Sequence, residues 1–286
     1  MATGALTVEK LTQRVGALVH GINLANIESQ EQRGFLSSSL VEHKVLFFRD
    51  QHLDPTQQVR LASVFGELTP AHPLIGGLDD AHPEVLVLDS TNYLLGVGDN
   101  AGSTSYNNRW HTDVTFAQKP PAVTVLTAVA VPAFGGDTLW ANLEAAWDAL
   151  PEDLRQRLEF ARAIHWTGET FDRMRANAEG AEALKEIAEV THPLVRIHPE
   201  SGQRSAFVNP TFTKTIEGWD PEEADRILSL IYQISSSPEC TVRWRWQAGD
   251  VAIWDNRSTM HYASADYEGR RLMHRVTVAG DLPFGP

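Results

Sequence analysis

TVRWRWQAGDVAIWDNRSTMHYA, residues Thr241–Ala263, holds two short β signals, Thr241–Trp246 and Val251–Trp254, separated by turn residues. Another strand signal follows at Arg271–Val278. Upstream lie Val123–Val131, Asp137–Trp140, Val195–His198 and Ala206–Val208. Helical stretches at Leu143–Ala163, Ala176–Glu189 and Pro221–Ser235 interrupt them. Many short strands divided by turns, with helices outside, predict a mainly β fold with flanking α-helices, a β-sandwich or jelly roll. Nearer the start, Leu6–Leu11 and Leu18–Ile22 read as short strands, Gln30–His43 and Pro55–Phe65 as helices. Lys44–Arg49 reads as a buried strand and Glu84–Asp89 as another.

No repeat and no low-complexity linker divides the 286 residues, so one domain spanning 1–286 is expected. Hydrophobic content of 42% and charged content of 21% are ordinary for a globular chain. The net charge of −13 argues against a nucleic-acid partner, which needs a basic face. It also means that an anionic substrate must be held by a few local arginines. One cysteine, Cys240, rules out an intrachain disulfide framework and a Cys-built zinc site. Met1–Lys10 has neither the basic nor the apolar region of a secretory signal, and no apolar run approaches membrane-spanning length. A soluble, cytoplasmic protein is expected. Ser90–Asn108, rich in Gly, Asn and Ser, is a long stretch without periodicity, the pattern of a functional lid loop.

Three constellations carry chemistry. In Trp110-His111-Thr112-Asp113 an extended chain would point His111 and Asp113 to one side, where both could reach one ion. His261 is the best third ligand, since two imidazoles and one carboxylate leave positions open on an iron. A His-x-Asp pair taken alone is also a common chance occurrence. His43, His52, His82 and His165 have no partner pattern and read as surface or core residues. In Arg271-Leu272-Met273-His274-Arg275, alternation puts both arginines on one strand face, about 13 Å apart. Two guanidinium forks could hold two anions flanking a metal, or be solvated or structural. Gly135-Gly136-Asp137-Thr138 presents a hydroxyl after a glycine turn, by itself an ordinary hairpin signal.

The order and spacing of these elements resemble the iron(II)/2-oxoglutarate dioxygenases of the taurine dioxygenase (TauD/TfdA) family. The resemblance runs along nearly the whole chain, through NRWHTDVTFAQKPPA, GGDTLWAN, HPLVRIHPESG, FVNPTFT, VRWRWQAGDVAIWDNRSTMHYA and RLMHRVTVAGDLPF. It implies a double-stranded β-helix (jelly roll) core, Fe(II) as cofactor, and 2-oxoglutarate and O2 as co-substrates. It matches His111, Asp113 and His261 to the iron ligands, and Thr138 and Arg271 to the pair gripping the far carboxylate of 2-oxoglutarate. Arg275 matches the arginine on a substrate sulfonate, assisted by His72 and the backbone of Val114, while Asn107 and Phe212 match pocket positions. The implied substrate is taurine or a related small alkylsulfonate, oxidised next to sulfur to give sulfite and an aldehyde. Relatives cleaving alkyl sulfate esters share nearly all these motifs, and relatives are commonly dimers or tetramers. This sequence has Ile75 where taurine-specific members carry a tyrosine, which suits a longer or less polar tail. A metal-holding binding module that has lost turnover would lack a ligand or the 2-oxoglutarate arginine, and both are present. A hydrolytic zinc enzyme gives no reason for a second anion clamp.

Overall fold

All four residues of VLFF, Val45–Phe48, are buried, yet they face opposite ways. Leu46 and Phe48 pack with Leu36, Leu40, Leu61 and Ala62, whereas Val45 and Phe47 pack with Trp140, Val242 and Trp244. A strand covered on both faces reads as an unbroken apolar run because alternate side chains enter different layers.

The structure, a computed structural model, describes residues 6–27, 29–72, 76–91, 108–167 and 189–286. In chain order its strands begin with β1 (Thr7–Lys10), β2 (Ala17–His20), β3 (Val45–Phe48), β4 (Leu86–Asp89), β5 (Val123–Ala130), β6 (Thr138–Asn142) and β7 (Arg162–His165). They continue with β8 (Val190–Pro193), β9 (Val195–Ile197), β10 (Arg204–Ala206) and β11 (Thr213–Ile216). The last four are β12 (Thr241–Trp244), β13 (Val251–Asp255), β14 (Thr259–Ala263) and β15 (Leu272–Val278). The helices are α1 (Gln30–His43), α2 (Pro55–Ala62), α3 (Leu143–Asp148), α4 (Glu152–Leu158) and α5 (Pro221–Ser235).

A seven-stranded sheet runs β1-β2-β3-β13-β5-β15-β4 and a three-stranded sheet runs β12-β6-β14. They face each other across an aromatic core in which Phe47 stacks on Trp244 at 4.3 Å and meets Trp140 edge-on at 5.2 Å. Fully burying Phe47 contributes about 1.5–3 kcal/mol before the aromatic geometry is counted. The outer face of the large sheet is covered by α1 and α2. Ser29 and Asp54 form capping boxes at the starts of these helices, and Pro55 opens α2 where its missing N–H costs nothing. Helices α3, α4 and α5 pack against β7, β9, β10 and β11 in a second cluster. The result is the expected mainly β architecture with flanking helices around a jelly-roll core. No helix among the described residues is long and apolar enough to cross a membrane.

The single helix expected over Leu143–Ala163 is divided. Pro151 lacks an N–H and disfavours helical backbone at Leu150, so α3 ends and α4 restarts behind it. Arg162–His165 is then β7, because β8 and β11 pair with it on either side. The helix expected over Ala176–Glu189 and nearly all of the lid expected over Ser90–Asn108 lie outside the described residues.

The turn leading to His261 is fixed by a buried ion cluster. Asp255, the last residue of β13, accepts from His198 Nε2 at 2.9 Å and from Arg257 Nη2 at 2.6 Å. Burial pushes the Asp255 carboxyl up, but His198 and Arg257 outweigh it and hold the group well below the usual carboxylate range. The folded pKa lies below the unfolded one, so this stabilisation is present at neutral pH and disappears as pH falls through the folded value. Asp255→Ala should cost about 3–5 kcal/mol, the cost of breaking a buried pair, read as a lower Tm at pH 7. That deficit should shrink under strongly acidic conditions.

Candidate active site

His111 and His261 meet through their backbones before their side chains do. The two residues exchange N–H···O bonds, at 2.9 Å from His111 N and 2.7 Å from His261 N, forming an isolated antiparallel bridge. Thr112 Oγ1 adds a bond to Thr259 O at 2.8 Å. The imidazole centroids lie 4.1 Å apart. His261 sits within β14, which pairs with β6 so that His261 opposes Trp140. His261 follows the strand Val251–Asp255, as expected, and is itself at the middle of the next strand.

Asp113 reaches the same place by a different route from the one expected. The chain is not extended through it, because a turn begins there, closed by Ala117 N donating to Val114 O at 3.0 Å. Val114 takes φ 51, a left-handed conformation that strains a β-branched residue by about 1–3 kcal/mol. Thr115 anchors the strained turn. Its hydroxyl meets His165 Nδ1 at 3.0 Å and Asn209 Nδ2 at 3.1 Å, and its carbonyl accepts from His192 Nε2 at 3.0 Å. His165 is thus a core residue, but one that braces the site.

The ligand atoms of His111, Asp113 and His261 all lie within 4.8 Å of one another, and the three residues are buried. His111 Nδ1 faces the Arg109 carbonyl at 2.8 Å. A carbonyl only accepts, so Nδ1 carries the proton and Nε2 keeps its lone pair. Burial keeps both imidazoles neutral, lowering His111 and taking His261 well below its ordinary value. Asp113 is the reverse case. Burial pushes it up, but Arg275, both imidazoles and Thr124 prevail and hold its pKa at about 2. Two neutral nitrogens and one carboxylate oxygen form a donor set suited to a divalent transition metal.

Asp113 is gripped at both oxygens. Arg275 Nη1 donates to Oδ1 at 2.7 Å and Thr124 Oγ1 to Oδ2 at 3.0 Å. Behind Thr124, Asn256 Nδ2 donates to its hydroxyl at 2.7 Å, and Trp254 Nε1 donates to Asn256 Oδ1 at 2.9 Å. Thr124 and Asn256 escaped the sequence reading, since a threonine and an asparagine in strand or turn carry no signal of the carboxylate they orient.

Arg275 is buried on β15, on the face that also bears Met273. His72 is close enough to feel it: burial and then Arg275 press His72 down to about 3, against an upward pull from Asp113. Phe212 closes another side, its ring edge-on to His111 at 6.2 Å and to Phe116 at 5.0 Å. Asn107 and Ile75 lie outside the described residues.

Thr138 and Arg271 are brought together as expected. Arg271 Nη2 donates to Thr138 Oγ1 at 3.2 Å, and its Nε donates to Gly136 O at 3.0 Å. Gly136 takes φ 68, and a Cβ there would come within 3.3 Å of Arg271 Cδ, so the glycine turn makes room for the guanidinium. Along β6, Thr138 is two residues from Trp140, the partner of His261, and therefore shares its face. A second buried cation thus lies one step along the same cleft from the His-Asp-His cluster.

The profile of the taurine catabolism dioxygenase TauD, TfdA family matches residues 7–277. The chain belongs to this family. It is 38% identical to an alkylsulfatase of Acinetobacter baylyi over 292 residues, covering 99% of this chain and 88% of that one. It is likewise 38% identical to an α-ketoglutarate-dependent sulfate ester dioxygenase of Pseudomonas putida, covering 98% and 91%. A crystal structure of a taurine dioxygenase from Burkholderia xenovorans superposes with a TM-score of 0.82 at 35% identity, covering 99% and 94%. The protein is a 2-oxoglutarate (α-ketoglutarate)-dependent dioxygenase, and TauD/TfdA enzymes use Fe(II), 2-oxoglutarate and O2.

Proposed function

We propose that this enzyme oxidises the carbon bearing the sulfo group of a small alkyl sulfate or sulfonate, with alkyl sulfate esters preferred. The observation that carries the reading is Arg275, buried against Asp113 with His72 beside it. A buried guanidinium next to a metal-binding cluster suits an anionic headgroup, and a carbon attached to that headgroup would then lie at the reacting centre.

In this reading His111, Asp113 and His261 hold the iron, which when bound supplies the O2 chemistry at the expense of 2-oxoglutarate. Thr138 and Arg271 take the far carboxylate of 2-oxoglutarate, while Arg275, His72 and the Val114 backbone hold the sulfo group. Phe212, with Phe116 behind it, keeps water from one wall. Two clamps for two different anions explain how a chain of net charge −13 concentrates negative ligands in one cleft.

The preference for esters rests on two supports. Both relatives at 38% identity are sulfate ester enzymes by name, and Ile75 stands where taurine-specific members carry a tyrosine. The taurine or alkylsulfonate reading keeps its own support in the motifs, the family profile and the Burkholderia structure. The released anion separates them, since oxidation next to an ester oxygen gives an aldehyde and sulfate, and next to sulfur an aldehyde and sulfite. With a medium-chain alkyl sulfate, a matched alkylsulfonate and taurine at equal concentration, sulfate release should be fastest and matched by succinate. Faster sulfite release from taurine would reverse the preference, and succinate formation stimulated by none of the three would remove the sulfo-anion assignment.

A further inference from the structure

Trp246 lies just past β12, buried among the aromatic side chains between the two sheets. Its Nε1–H donates to Thr138 Oγ1 at 2.9 Å, the same oxygen that Arg271 Nη2 reaches from 3.2 Å. An indole N–H and a guanidinium N–H can only donate. Thr138 Oγ1 therefore accepts from both, and both of its lone pairs are engaged. Its one O–H must point away from the two donors, as a donor itself. A carboxylate can only accept, so a hydroxyl helps bind it only when it presents that proton. The neighbouring Trp140, whose ring centroid is 6.2 Å away, buries its own Nε1 without a hydrogen-bond partner among the described residues. Packing in this core therefore does not by itself supply an indole with an acceptor.

We propose that Trp246 is a positioning residue for 2-oxoglutarate: by occupying a lone pair of Thr138, it aims the Thr138 hydroxyl proton at the carboxylate held by Arg271. This rests on the assignment of Arg271 and Thr138 to the co-substrate. Phenylalanine at 246 would keep an aromatic ring in the core but free a lone pair on Thr138, letting the hydroxyl rotate and lose its donor role.

The test is calorimetric titration of 2-oxoglutarate into the Fe(II)-loaded enzyme under argon, with W246F, T138V, the double variant and R271A. W246F should weaken binding by about 3- to 10-fold, the worth of one hydrogen bond, and should weaken it no further in the T138V background. In steady-state assays W246F should raise the KM for 2-oxoglutarate while leaving kcat and the KM for the sulfur substrate unchanged. Undiminished affinity in W246F, or the same factor of loss with and without the Thr138 hydroxyl, would overturn the proposal. An equal rise in both KM values would do so too, because it would mark a packing defect. Undiminished affinity in R271A would instead remove the co-substrate assignment itself, whatever Trp246 does.

Discussion

Asp113→Ala and His111→Ala should each reduce substrate-dependent succinate formation to background, but they should differ in stability. His111→Ala removes a neutral ligand and its bond to the Arg109 carbonyl. Asp113→Ala removes the one anionic ligand and also the carboxylate facing Arg275 at 2.7 Å. Breaking a buried pair by deleting one partner costs about 3–5 kcal/mol. The metal-free aspartate variant should therefore melt well below the metal-free wild type, by more than the histidine variant does. Iron content, succinate yield and Tm measured together test this. Either variant turning over like wild type would show that the cluster is not the metal centre.

The second large effect is a division of labour between two arginines, Arg271 just before β15 and Arg275 within it. Arg271 is buried against Gly136 and Thr138, and Arg275 against Asp113. Truncating a buried hydrogen-bonded charge costs its ligand about 2–5 kcal/mol, or roughly 30-fold and upward. Arg271→Ala should place that loss on the KM for 2-oxoglutarate, and Arg275→Ala on the KM for the sulfur substrate. Arg275→Ala should also raise the Asp113 pKa, since the guanidinium is the largest of the influences holding it down. Equal changes in both constants for both variants would mean that the clamps are not separate.

Much of this site could be read in the sequence because its residues are chemically conspicuous. A His-x-Asp, a distal histidine and two arginines four residues apart are residue types that a metal and two anions would need, although each alone is ambiguous, and the structure brings His111, Asp113 and His261 together. The apolar runs at Val45–Phe48 and Val251–Trp254 likewise announce strands buried on both faces. What the sequence concealed depends on partners far along the chain. β14 carries no strand signal of its own behind the turn at Asn256-Arg257-Ser258, and Thr259–Ala263 is a strand because β6 offers its edge. The helical stretch expected over Leu143–Ala163 runs into the first two residues of β7, whose pairing with β8 and β11 is non-local. The turn at Asp113–Val114 was hidden for a related reason. A β-branched residue at φ 51 is a poor local choice, and it is held there by Thr115 with His165, His192 and Asn209, which are scattered through the sequence. Thr124, Asn256 and Trp246 show the same limit at the level of single side chains, since each acts by orienting another residue.

The most direct measurement is anomalous diffraction at the iron edge from crystals grown with Fe(II) under argon. A single strong peak flanked by the imidazoles of residues 111 and 261 and the carboxylate of residue 113 is the expected result. Iron bound elsewhere, or a peak ligated without these three side chains, would contradict it.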